Sequence, residues 1–226
     1  MHLPNLVSKS VLDIGSWDGY FSFAAERLGA RKVISLDHYV WSLDFTARYR
    51  YEMACRSQNV TPAPWETVPE IWKPDELPGK ACYDLAHVAL GSKCEAVVGD
   101  FMALDAKAIG KADVVFFLGV LYHVRDPFGA IERVAALTNE LAVIETVIVY
   151  VAGYDRFPLW RFYQGDELAD DPTNYWVPNL QALKAMCLAA GFTRVEANPT
   201  PLKTRARQAT KPGSVVGSRG VVRAWK

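Results

Sequence analysis

The chain has 226 residues, half of them hydrophobic and 22% charged, and its 25 basic and 25 acidic side chains cancel formally. That composition fits one globular domain spanning residues 1–226 with a full-sized core, and it excludes an extended disordered tract or a generally basic nucleic-acid binder. No apolar run approaches the roughly 20 residues of a membrane span and no secretory leader is visible. The cysteines Cys55, Cys82, Cys94 and Cys187 show neither CxxC pairing nor Cys/His ligand spacing, so a reduced, cytoplasmic setting with no metal and no membrane is expected.

Residues 11–14 read as an apolar strand running into the turn GSWDG at 15–19, and a helical pattern follows at 20–28. Gly15 and Gly19 let a ligand approach bare backbone, because glycine has no Cβ and tolerates positive φ. A second strand at 33–36 ends in Asp37, about 20 residues on from the first, where an acid accepts hydrogen bonds from ribose hydroxyls. The pairing implies a nucleoside-bearing cofactor. Trp17 stands where close approach of a pyrophosphate demands a middle glycine, which counts against a dinucleotide and makes a nicotinamide dehydrogenase a poor fit. Asp13 would repel phosphates yet suits a cationic ammonium, directly or through water. A methionine moiety carries that cation together with a carboxylate suited to N–H groups at a helix start, so S-adenosylmethionine is favoured.

Residues 38–79 exceed what a connection requires and hold three tryptophans and five prolines. A helix is predicted at 80–90 and a strand at 95–99, after which Asp100 is placed to accept from an adenine amino group and Phe101 to offer apolar contact. Further strands are predicted at 113–118, 142–149, 193–197 and 220–225, and helices at 127–137 and 179–190. Short β-branched runs separated by helical patterns signal a parallel α/β architecture. The second long connection, 150–177, is also rich in aromatics, and both connections leave the carboxyl ends of parallel strands, where ligands of open α/β sheets bind. Both are read as lid or substrate segments, with Arg156, Arg161, Tyr163 and Asp166 as candidates to shape a pocket. From Ala197 onward the chain has no acid but seven basic residues, leaving 1–196 at minus seven by difference. The basic stretch 203–219 is expected to connect the last two strands and to offer grip on an anion.

The order of these motifs, from VLDIGSWDG through VVGDF to FFLGVLYH, resembles the class I S-adenosylmethionine-dependent methyltransferases. GVLYHVRDP, YDLAHVALG, the IET strand and NYWVPNLQALKAMCLAAGF narrow the likeness to a bacterial group related to the tRNA wobble-uridine methyl/carboxymethyltransferases. The resemblance implies a Rossmann-like, doubly wound, seven-stranded sheet, mostly parallel with an antiparallel last strand and helices on both faces. It implies S-adenosyl-L-methionine as cofactor, with Asp13, Gly15, Ser16, Trp17 and Gly19 lining the methionine end. Asp37 takes the ribose, Asp100 and Phe101 the adenine, and Leu118 and Gly119 back the cofactor. Tyr122 and His123 stand where the transferring group meets its acceptor.

His123 is the natural general base, since its pKa class suits neutral pH, and Tyr122 is read as an orienting residue. Glu145 lies in the segment VIET and is placed to bind an acceptor hydroxyl or amine. Only ten residues precede the first strand, and no lysine and arginine partners for a carboxylated cofactor are recognisable, which favours plain methyl transfer. The expected function is methylation of an oxygen or nitrogen of a small-molecule metabolite. A tRNA-modifying enzyme and a non-catalytic S-adenosylmethionine-binding module are the alternatives. The oligomeric state is left open.

Overall fold

Phe116 and Phe117 are adjacent in the chain and both are fully buried. Neighbouring side chains of a strand point to opposite faces, so their strand must be covered on both sides. In the computed structural model, which describes residues 3–154, 156–165, 167–171, 173–198 and 215–226, that strand is the middle of a seven-stranded sheet. In chain order the elements are β1 (Ser10–Ile14), α1 (Tyr20–Arg27), β2 (Lys32–Asp37), α2 (Tyr39–Ser42), α3 (Phe45–Ser57), α4 (Ala81–Leu90) and β3 (Glu95–Val98). Then come α5 (Ala106–Ile109), β4 (Ala112–Leu118), α6 (Pro127–Leu137), β5 (Thr138–Val151), β6 (Trp160–Phe162), β7 (Trp176–Pro178), α7 (Leu180–Ala189), β8 (Arg194–Asn198) and β9 (Val215–Trp225).

The sheet order is β3-β2-β1-β4-β5-β9-β8. β1 to β5 pair in parallel, and β9 runs antiparallel to both β5 and β8. This is the doubly wound sheet with an antiparallel last strand that the sequence predicts. Leu12, Ile14, Val115, Phe117 and Ile144 pack on one face with Ile131 and Val134 of α6 and Leu183 and Cys187 of α7. Val11, Val33, Val114, Phe116 and Val143 pack on the other with Phe23 and Ala25 of α1 and Tyr83 of α4. Each of the Val, Leu, Ile and Phe side chains among them contributes about 1.5–3 kcal/mol of burial, so the two layers rather than helix propensity fix the frame. Side-chain caps set where helices begin: Asp126 accepts from Gly129 N at 2.9 Å with Pro127 at the first helical position, and Asn179 accepts from Ala182 N at 2.8 Å.

Three elements depart from the sequence reading. Residues 45–57, expected within a long connection, form α3, capped by Asp44 accepting from Ala47 N at 2.9 Å. The 150–177 segment contains the first strand of the two-stranded β6–β7 hairpin and the start of the second. The last strand begins at Val215, so the basic stretch read as a connection is shortened and Gly217 and Arg219 sit in the β5–β9 ladder. Lys203, Arg205, Arg207, Lys211 and Asp166 lie outside the described residues. Among the described residues no helix is long and apolar enough to cross a membrane, and no group of three or more His, Cys, Asp or Glu is placed to hold a metal.

Candidate active site

The carboxyl ends of β1, β2, β3 and β4 bring the sequence-predicted cofactor residues to one edge of the sheet. The turn after β1 is held from below by Leu36, whose carbonyl accepts from Gly15 N at 2.8 Å and Ser16 N at 3.2 Å. Gly15 has φ +75°, and a Cβ there would lie 2.3 Å from Val120 Cγ2. Gly19 has φ +85° where the turn enters α1, and its Cβ would lie 2.5 Å from the Phe23 ring. Trp17 also has positive φ, 49°, and the residue is 66% exposed. Two contacts hold that strained backbone: Trp17 N donates to Asp37 Oδ2 at 2.9 Å, and Trp17 O accepts from Trp41 Nε1 at 2.6 Å. Asp37 therefore spans the gap between the first two strand ends. Ser16 is buried, and its hydroxyl has no hydrogen-bond partner among the described residues.

Asp13 is placed differently from the rest. It is 2% exposed behind the turn, where its Oδ2 accepts from Ser22 Oγ at 2.7 Å. Burial is the main cause that pushes its carboxyl up to about 7, and the Asp37 carboxylate pushes the same way. A ligand cation would meet this charge through water or across the turn, because direct contact with so buried a group is closed.

At the end of β3, Gly99 N donates to Asp37 O at 3.0 Å, drawing the third strand end against the second. Asp100 is half-buried and accepts from Met102 N at 2.8 Å, which fixes its side chain beside the next turn. Phe101 is a core residue, with its ring 5.5 Å from that of Phe117 and under the Arg133 guanidinium. Leu118 pairs with Glu145 across β4 and β5, and Gly119 N donates to Glu145 O at 2.9 Å.

Tyr122 and His123 lie in the 3-10 turn Leu121–His123, with ring centroids 4.3 Å apart. Glu145, predicted to contact an acceptor, is already engaged: both its carboxylate oxygens accept from the guanidinium of Arg219. Val147 opposes Arg219 and Glu145 opposes Val221 in the β5–β9 register, so Arg219 is a diagonal neighbour on the same face. Arg219 Nη1 also donates to Tyr122 Oη at 3.2 Å, and its guanidinium lies over the Tyr122 ring. Burial opposes this charge, but the hydrogen bonds with Glu145 outweigh it and hold the guanidinium firmly protonated. The sequence reading assigned Arg219 to a loop and so missed it here.

His123 Nδ1 lies 3.0 Å from Thr173 Oγ1 and 3.2 Å from Thr173 O. Thr173 Oγ1 in turn donates to Asp171 Oδ1 at 2.6 Å, and Arg48 Nη2 of α3 donates to the same oxygen at 3.0 Å. His123 is exposed at the surface, yet the protein around its imidazole desolvates it enough to hold it below the ordinary histidine range. Arg48 also bonds Glu52 at 3.1 Å and stacks 4.6 Å from the Trp65 ring centre. The two long segments, 38–79 and 150–177, therefore meet beside His123. Of the other predicted pocket residues, Arg161 stacks 4.4 Å from the ring centre of Tyr163, itself buried with Val149 and Val177.

The sequence matches the methyltransferase-domain family over residues 2–197. A tRNA U34 carboxymethyltransferase of Aliarcobacter butzleri is 31% identical over 104 residues, which is 46% of this chain and 33% of that protein. The protein of that name from Psychrobacter cryohalolentis is 27% identical over 219 residues, covering 86% of this chain and 46% of its own length. The chain thus spans less than half the length of these curated relatives. Magnesium protoporphyrin IX methyltransferase from Synechocystis PCC 6803, solved with bound S-adenosylhomocysteine, shares the fold at a TM-score of 0.54 and 15% identity, over 98% of this chain and 76% of that one. Matched over most of its length and folded on a doubly wound sheet, the chain belongs to the methyltransferase-domain family.

Proposed function

We propose that this enzyme methylates an oxygen or nitrogen of a small-molecule metabolite. The observation that carries the reading is the Arg48–Asp171 ion pair, which joins the two aromatic-rich segments beside His123 and walls the acceptor side. In this reading Asp13, Gly15, Ser16, Trp17 and Gly19 surround the methionine end of S-adenosylmethionine, Asp37 binds the ribose, Asp100 and Phe101 flank the adenine, and Leu118 and Gly119 form the back wall. The fit rests on the turn itself, which holds its close path over the strand ends only with glycine, since Gly15 and Gly19 have positive φ and a Cβ at either would meet Val120 or Phe23. Phe101 contributes a ring edge and its backbone, since its ring is packed in the core.

Bound there, S-adenosylmethionine supplies an electrophilic methyl group on a sulfonium. Tyr122, fixed by Arg219, orients the acceptor, and His123 takes its proton. Glu145 acts by holding Arg219, whose guanidinium donates to both its carboxylate oxygens. Alignment and exclusion of water supply most of the acceleration for such an in-line transfer, with a base adding its share where the acceptor must lose a proton.

Two substitutions check the assignments. Asp37→Ala removes both the ribose acceptor and the anchor of Trp17 N, and should weaken S-adenosylmethionine binding at least tenfold; unchanged affinity by calorimetry would reject the ribose role. His123→Ala should leave that affinity within about twofold and lower turnover by about 10²-fold or more. Equal turnover would remove His123 as the base.

A second reading, a tRNA-modifying enzyme, is favoured by the names of the curated relatives. The deciding assay follows S-adenosylhomocysteine release with a panel of small hydroxyl, amine and carboxylate acceptors and, separately, with unmodified tRNA. Turnover with tRNA alone, together with affinity that falls steeply with salt, would overturn the small-molecule reading.

A further inference from the structure

We propose that Asp171 and Arg48 are positioning residues that, through Thr173, hold His123 in one tautomer, with the proton on Nδ1 and the lone pair on Nε2 available to the acceptor. The inference rests on the reading of His123 as the base, and the hydrogen-bond geometry assigns the tautomer independently of what is methylated.

The assignment follows from which atoms have hydrogens to give. Thr173 O is a carbonyl and only accepts. Thr173 Oγ1 spends its single hydrogen on Asp171 Oδ1, at 2.6 Å, and so presents lone pairs to the imidazole. Both partners of His123 Nδ1 are then acceptors, at 3.0 and 3.2 Å, and Nδ1 must carry the hydrogen. Thr173 N also donates to Asp171 Oδ1, at 2.9 Å, so one carboxylate pins both the backbone and the hydroxyl of Thr173. Burial works against that carboxylate, but the Thr173 hydrogen bonds and the Arg48 guanidinium outweigh it and hold the carboxyl below its ordinary range. The neutral imidazole is left with its Nε2 lone pair on the opposite ring edge.

During transfer the acceptor's lone pair forms the new bond to the methyl carbon, the carbon–sulfur pair stays on sulfur, and the acceptor's proton moves to Nε2. The imidazolium so formed is stabilised through Nδ1–H, Thr173 and Asp171 and later loses its proton to solvent. This differs from a direct carboxylate–histidine pair in one respect that can be measured. The relay arrives from two chain segments, so a change in α3 alters a base that lies some 75 positions further along the chain.

The charged and titratable groups facing His123 have opposing effects. Asp171, from the 150–177 segment, favours the imidazolium, whereas Arg48 of α3 and Arg219 of β9 disfavour it. Glu52 and Glu145 act at one remove, each paired to one of those arginines, and Tyr122 lies against the ring from the same turn. Asp171→Asn should therefore move the His123 titration to lower pH and Arg48→Met should move it to higher pH. A merely structural loss would move both the same way or neither.

The test uses nitrogen-15 NMR of the full chain to read the tautomer and titration of His123, and pH–rate profiles to read the acid limb of kcat. In the unsubstituted protein Nδ1 should carry the hydrogen; a dominant Nε2–H form would overturn the assignment. Asp171→Asn should lower kcat about tenfold and carry the acid limb down with the NMR titration, while Arg48→Met carries both up. Thr173→Ser, which keeps the hydroxyl, should retain the limb position that Thr173→Val loses. Titrations that move as stated beside an acid limb that stays fixed would overturn the catalytic role of the relay and, with it, His123 as the base. Should one variant fold poorly, the other and the Thr173 pair still carry the comparison.

Discussion

Gly15→Val should abolish detectable S-adenosylmethionine binding and destabilise the fold by several kcal/mol. Two separate effects add. A β-branched residue held at φ +75° carries backbone strain of about 1–3 kcal/mol, and the new Cβ would lie 2.3 Å from Val120 Cγ2, an overlap costing about as much again. Against a typical total stability of about 5–15 kcal/mol, that is enough to lower Tm markedly without guaranteeing unfolding. Gly15→Ala separates the two effects. Combined with Val120→Ala, the steric part should be largely relieved, while the strain of positive φ remains. A double-mutant cycle in denaturant should therefore give a coupling of about 1 kcal/mol or more between positions 15 and 120, and none if the collision is absorbed by backbone movement. Calorimetry on the folded Gly15→Ala protein then reads binding apart from stability. Affinity equal to that of the unsubstituted protein would mean that the turn is not where the cofactor sits.

Val120 shows why some of the site was visible in the sequence and some was not. The turn glycines, Asp37 and the strand ends are local features, and the parallel α/β pattern carries them to one edge by topology alone. Val120, Arg219, Asp171 and Arg48 act by contacts across long stretches of chain. Arg219 became part of the site through the antiparallel register of β9, which places it diagonally from Glu145; a run of basic residues among glycines reads as a loop until that register is known. Helix α3 was hidden for a different reason. Its apolar residues Phe45, Tyr49 and Met53 do recur at helical spacing, but they face solvent, while the residues it buries include Glu52. A helix whose buried residues are only Glu52 and Cys55 gives little core signature. Phe101 combines two roles that the sequence alone does not separate. Its place after Asp100 points to ligand contact, and its 7% exposure adds that most of its surface is spent on the core.

Asp13→Asn should stabilise the cofactor-free protein at alkaline pH while weakening cofactor binding. The carboxyl is raised from 3.8 to about 7 by burial first, with Asp37 pushing the same way, so between those values the folded chain holds a proton that the unfolded chain has lost. The folded state binds more protons in that interval, and stability therefore falls as pH rises from about 4 to about 7 and is level beyond it. The total is on the order of a few kcal/mol, since a tenfold change in a proton-binding constant corresponds to about 1.4 kcal/mol. Asparagine keeps the shape, and its side-chain oxygen still accepts from Ser22 without a charge to desolvate, so the variant should lack this fall and exceed the unsubstituted protein in denaturant midpoint at pH 8. Binding runs the other way. An ammonium near the turn favours the ionised carboxylate, so affinity for S-adenosylmethionine should rise with pH up to about 7, with proton release on binding visible as a dependence of calorimetric enthalpy on buffer ionisation. The Asn variant should lose that proton release along with most of the affinity. If it kept both, the ammonium would not be near Asp13; if its stability fell with pH as before, another group would be the one that titrates. Should both expectations hold, the strand-end acid is a site where the fold accepts a buried charge it would be more stable without, because the cofactor's cation supplies the missing partner.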